Sequence, residues 1–107
     1  MGASIEVVLC TVPSSAVAEQ IAHALLDERL VACVNVIPGV RSLYRWEGAI
    51  EEAQEQLLVM KTARDRYAAL EARIRQLHPY EVCEVIALDV TSGSAPYLAW
   101  VTGETRP

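Results

Sequence analysis

Strands that are apolar on both faces constrain this chain more than any other feature it carries. Ile5–Val12 (IEVVLCTV) is apolar almost throughout, residues 55–61 (EQLLVMK) hold Leu57, Leu58, Val59 and Met60 in succession, and residues 83–90 (CEVIALDV) hold Val85 to Leu88 without a break. A sheet with one solvated face shows apolar–polar alternation along its strands, because side chains point alternately to the two faces. These strands do not alternate, so both faces need cover. Helices of the same chain account for one face. The other falls to the hairpin or tail of the same chain or to another copy, and another copy is the simplest cover.

The segments between the strands supply those helices. Pro13 ends the first strand, and Ser14-Ser15 offers a cap. Val17, Ala18, Ile21, Ala22, Leu25 and Leu26 then recur at helical spacing, with Glu19, Gln20, His23 and Asp27 on the opposite side. Residues 30–37 (LVACVNVI) read as a second strand stopped by Pro38-Gly39, residues 40–46 are strand-like again, and Glu47-Gly48 breaks them. With residues 55–61 as the third strand, residues 31–61 form one long, irregular hairpin. Thr62 followed by Asp65 resembles a capping box with Asp in the Glu position. Tyr67, Leu70, Ile74 and Leu77 predict a second amphipathic helix, which Pro79 cannot continue. Residues 83–90 form the fourth strand, and Ser94-Ala-Pro-Tyr-Leu-Ala-Trp starts a short terminal helix with Pro96 in its first turn. The order is βαββαβ plus a tail: an α+β, ferredoxin-like sandwich with a short C-terminal helix, one domain over residues 1–107, its helices on one face of an antiparallel sheet.

Composition narrows the function classes. The chain is 52% hydrophobic with a mean hydropathy of +0.22, high for 107 residues, which again points to a buried subunit interface. No apolar run approaches the roughly 20 residues that cross a bilayer, and the N-terminus lacks a basic flank and an apolar core, so neither a membrane span nor a secretory signal is expected. The net charge of −5, with Lys and Arg scattered, disfavours nucleic-acid binding. Cys10, Cys33 and Cys83 are odd in number, contain no CxxC and fit no zinc-ribbon spacing, so they read as reduced thiols in a cytoplasmic protein, or as small buried hydrophobes.

Several short stretches, taken together, resemble one family over essentially the whole chain. They are Cys10-Thr-Val-Pro-Ser, Glu28-Arg-Leu-Val-Ala-Cys33-Val-Asn35, Pro38-Gly39, Ser42-Leu-Tyr-Arg-Trp46-Glu-Gly48, Lys61-Thr62, His78-Pro-Tyr-Glu-Val82, Glu84 and Tyr97-Leu-Ala-Trp100. In this order and spacing they are similar to the CutA divalent-cation tolerance proteins. The resemblance implies a ferredoxin-like homotrimer related in shape to PII-type signalling proteins and a role in tolerance of copper or other divalent metal ions. An alternative within it is a PII-like regulator that binds a small anion between subunits and signals to a protein partner.

The resemblance also implies metal ligands: a Cys at the end of strand one and a His pair just before the Pro. Here these are Cys10 and Leu77-His78, so one His is missing, and Cys83 stands where the family usually has Pro. Two ligands make a poor site, which draws in Cys83 and Glu84. Strands one and four are antiparallel neighbours in this plan, so Cys10, His78, Cys83 and Glu84 gather at one end of the sheet. Cys33 and Lys61 belong to the other end; a strand of eight residues spans roughly 25 Å, so Cys10 and Cys33 do not share an ion within one protomer. Thiolate and imidazole suit copper and also accept zinc. Cys33, Tyr44, Trp46, Lys61 and Tyr80 form a second set, for ligand binding or subunit contact. Plainer readings stand beside these: His78 as a helix terminator, Lys61 as a solvated charge rather than an anion anchor, Tyr44 and Trp46 as interface packing rather than stacking platforms, His23 as solvated. Glu84, a carboxylate at the start of an apolar strand, needs a partner or a metal. A Cys10 or Cys33 nucleophile with His78 as base would also need an oxyanion site and a depressed thiol pKa, for which there is no motif, so an enzyme is not expected.

Overall fold

The computed structural model describes residues 4–107. Four strands and three helices follow in the order β1 (Ile5–Val12), α1 (Ser15–Asp27), β2 (Cys33–Trp46), β3 (Ala49–Ala63), α2 (Tyr67–Leu77), β4 (Ile86–Asp89) and α3 (Ala95–Glu104). The sheet is antiparallel with order β2-β3-β1-β4, the arrangement of a split βαβ fold. Ser14 caps α1 by accepting from the Val17 N–H at 3.2 Å. Ala18, Ile21 and Leu25 of α1 and Leu70 and Ile74 of α2 bury against Val8, Cys10 and Val12 of β1 and Leu58 and Met60 of β3. That is the main core, and it lies on one sheet face.

The register sets the opposite face in three rows. Ile37, Leu57 and Thr11 form the first; Asn35, Val59, Leu9 and Ile86 the second; Cys33, Lys61, Val7 and Leu88 the third. These rows alternate with the buried positions of β1 and β3, so they point away from α1 and α2. They are mostly apolar, and Ile37, Ile86 and Leu88 are 45%, 50% and 54% exposed. Beyond the third row, at Ile5 and Ala63, α3 takes over: Val101 and Leu98 pack there with Ala32 and Val90. The expectation that every helix lies on one face is therefore corrected. The tail covers one end of the second face, because Ile5 and Ala63 would otherwise leave apolar surface in water.

Four further expectations are corrected. Residues 30–37 do not end a strand at Pro38-Gly39; β2 runs from Cys33 to Trp46 through a bulge between Ile37 and Val40, which Gly39 accommodates at φ +74°. Its partner β3 extends over Ala49–Ala63 rather than residues 55–61, since the two strands stay paired to the tip. There Glu47 and Gly48, both at positive φ, make the two-residue turn that matches strand twist. The strand predicted over residues 83–90 is only Ile86–Asp89: pairing with β1 spans Leu9↔Ile86 to Glu6↔Asp89, and residues 79–85 bend past the end of β1 instead. Finally, Thr62 and Asp65 form no capping box. Thr62 lies inside β3 and donates its hydroxyl to the buried Leu30 carbonyl at 2.7 Å, while Asp65 pairs with Arg106. A 3-10 turn over Arg64–Arg66 leads into α2 in place of a side-chain cap.

Candidate functional site

β1 carries Cys10 into the core next to the segment that follows α2. The thiol is fully buried, and Cys83 packs against the same cluster. Burial, followed by the negative groups Cys83, Glu84 and Glu55, pushes the Cys10 thiol up to about 12. Cys83, Glu84 and Glu55 thus lie within electrostatic reach of Cys10.

His78 ends α2: its N–H donates to the Ile74 carbonyl, and its backbone then turns extended before Pro79. The ring is held on both sides. Nε2 lies 2.7 Å from the Thr11 carbonyl, and Nδ1 accepts from the Tyr80 N–H at 3.1 Å. A carbonyl only accepts and an N–H only donates, so this pairing selects the Nε2–H tautomer and leaves no ring lone pair free. His78 therefore ties the α2 terminus to β1 one residue from Cys10. Its plainer role, as a helix terminator, is present in the structure. Among the described residues, no group of three or more His, Cys, Asp and Glu side chains is set to hold a metal ion.

Beside this cluster lies a groove of 780 Å³ between the projecting hairpin and residues 80–84, lined by Tyr44, Trp46, Glu55, Tyr80, Val82 and Glu84 among others. Glu55 was not singled out from the sequence. It is 8% exposed and accepts from the Tyr80 hydroxyl at 2.9 Å. Burial and then Glu55 push the Tyr80 hydroxyl up to about 12. The ring of Tyr80 also stacks, tilted, on His78 with centroids 4.8 Å apart. Tyr44 and Trp46 lie on the hairpin, 45% and 44% exposed.

Cys33 and Lys61 face each other across β2 and β3 at the far end of the open face. Cys10 faces the helices, so the two thiols lie on opposite sides of the sheet as well as at opposite ends. Lys61 donates to Asn35 Oδ1, and its Nζ is 3.8 Å from Cys33 Sγ. Tyr97 of α3, also not singled out as a site residue, lies beside Cys33; burial and then Cys33 raise its pKa above the ordinary tyrosine value. Its position right after Pro96, in the first turn of α3, was the available signal. His23 is exposed and contacts only Glu19.

A family model described as CutA1 divalent ion tolerance protein matches residues 6–104. The chain is 50% identical, over 100 residues covering 94% of it and 97% of the relative, to a Thermus thermophilus protein named divalent-cation tolerance protein CutA. It is 48% identical to the human protein named CutA, over 96% of this chain and 58% of that protein, so it spans little more than half of that relative's length. The solved structure of the Thermus thermophilus divalent cation tolerance protein superposes with a TM-score of 0.94 at 49% identity, over 95% of this chain and 99% of that one.

Proposed function

Because this chain belongs to the CutA1 divalent ion tolerance family, we propose that it binds copper or another divalent metal ion at the end of β1 and works as a homotrimer. One observation carries the metal reading: Cys83 packs against the core cluster that holds Cys10, and, after burial itself, Cys83, Glu84 and Glu55 add to what disfavours the Cys10 thiolate. Groups that repel one another's negative charge are the ones a cation neutralises, displacing a proton as it binds. Cys83 and Glu84 lie toward the surface and meet the ion first, and Cys10 completes the set from behind. Two thiolates favour soft ions such as Cu(I) over hard ones. His78 acts as a positioning residue, holding residues 79–85 over β1 through Thr11.

The trimer reading rests on the open sheet face, whose three rows are mostly apolar and remain partly exposed in a single chain. The role is non-catalytic: a buried thiol held near 12 is a weak nucleophile at neutral pH. Three free thiols fit a reducing compartment such as the cytoplasm.

Competition for Cu(I) against a chelator tests the metal reading. Cys83→Pro, which restores the residue usual in the family, and Cys83→Ser should both weaken binding, and lowering the pH should weaken it in the unmodified protein. Unchanged affinity in both variants removes Cys83 and the site built on it.

A further inference from the structure

Lys61 is a cation without a counter-ion. It sits half-buried in the third row of the open sheet face, between Val7 on one side and Cys33 on the other. Among the described residues Lys61, Arg45, Arg66 and Arg75 form no salt bridge, and of these Lys61 alone stands in the three apolar rows of the open sheet face. Its contacts are neutral: the Asn35 amide oxygen and the Cys33 sulfur. An ammonium has three donors, and sulfur is a weak acceptor that a better one displaces. Tyr97 lies beside the same sulfur, and its ring is braced by Trp100 with centroids 5.7 Å apart. The cluster thus presents one positive charge on a weakly accepting sulfur, with a neutral O–H donor nearby.

We propose that Lys61, Tyr97, Cys33 and Asn35 form a carboxylate-binding site on the open sheet face. A monoanion fits the charge. One ammonium neutralises one negative charge, while a dianionic phosphate would leave a second charge stranded among Val7, Val59 and Leu88. The carboxylate comes from one of two sources, a small free carboxylate or an acidic side chain of a second copy docked on this face. The second source rests on the trimer reading; the first does not. If a second copy does cover the face, the site explains how Lys61 is tolerated there, since an unpaired charge taken out of water costs several kcal/mol.

The test compares melting temperature and light-scattering mass in sodium chloride and in sodium acetate at equal ionic strength and pH 7. The proteins are the unmodified chain, Lys61→Met and Tyr97→Phe. A free-carboxylate site gives a saturable rise in melting temperature with acetate, lost in Lys61→Met and weakened in Tyr97→Phe, with affinity falling roughly tenfold or more when the charge is removed. A site filled by a neighbouring copy gives no acetate response, but Lys61→Met then dissociates at higher concentration than the unmodified protein. Lys61→Arg, which keeps the charge, restores most of either effect and separates lost binding from lost folding. A monomer that still responds to acetate ends the trimer reading and keeps the site. No acetate response together with unchanged or improved assembly in Lys61→Met overturns the proposal.

Discussion

Ile86→Asp separates a covered sheet face from a solvated one. Ile86 lies opposite Leu9 on the open face and is 50% exposed in the single chain. On a solvated face, such a change stays within about 0.5 kcal/mol, as at other surface positions. Under a second copy, two costs arise. Fully burying an isoleucine side chain is worth about 1.5–3 kcal/mol, so the exposed half contributes about 1 kcal/mol per chain on assembly. The new carboxylate must also be buried unpaired, at several kcal/mol more. Three chains together lose on the order of 10 kcal/mol of assembly free energy, about seven decades in an association constant. Sedimentation velocity at micromolar concentration should therefore show Ile86→Asp as a folded monomer with native far-UV circular dichroism. Leu26→Asp, on the outer side of α1 and 40% exposed, should leave assembly intact. An Ile86→Asp protein that sediments like the unmodified one would refute the covered face.

Other consequences follow from single contacts. Because the folded-state pKa of Cys10 is raised from 9.0 to about 12, its contribution to stability is complete below pH 9 and is lost as pH rises from 9 to 12. The loss approaches about 1.4 kcal/mol per pH unit, and Cys10→Ala should flatten that slope in alkaline unfolding titrations, leaving the smaller share of Tyr67 and Tyr80. Thr62→Val keeps the shape but orphans the buried Leu30 carbonyl, so urea unfolding should show a loss of about 1–3 kcal/mol. Gly48→Ala meets no neighbour but must hold φ at +81°, so it should cost about 1–2 kcal/mol by the same assay, purely as backbone strain.

The fold was legible wherever burial wrote a pattern. The helical spacing of Ile21, Leu25, Leu70 and Ile74 and the apolar runs of β1 and β3 gave the elements, their order and the family resemblance. Boundaries failed where a local signal was overruled by pairing. Pro38-Gly39 looks like a stop but is absorbed as a bulge, because β3 continues alongside it. Cys83 to Val85 look like strand but find no partner past Leu9. The position of α3 was unreadable for a different reason: Val101 and Leu98 are apolar, but nothing in the spacing says which sheet face they meet. At the site, topology alone placed Cys10, His78, Cys83 and Glu84 at one end and Cys33 with Lys61 at the other. The commitment of both His78 nitrogens to Thr11 and Tyr80 depends on how residues 78–80 turn, and no residue type announces that. Glu55 opens an apolar run just as Glu84 nearly does, so the same signal was there, but its partner, the Tyr80 hydroxyl, depends on the turn of residues 78–80.

Native mass spectrometry of the protein titrated with Cu(I) tests metal binding and assembly in one spectrum. The expected spectrum is a trimer that takes up three ions, one for each Cys10–Cys83 pair, with Cys83→Ser still trimeric but taking up fewer. A monomer, or a trimer whose copper uptake is indifferent to Cys10 and Cys83, would contradict it.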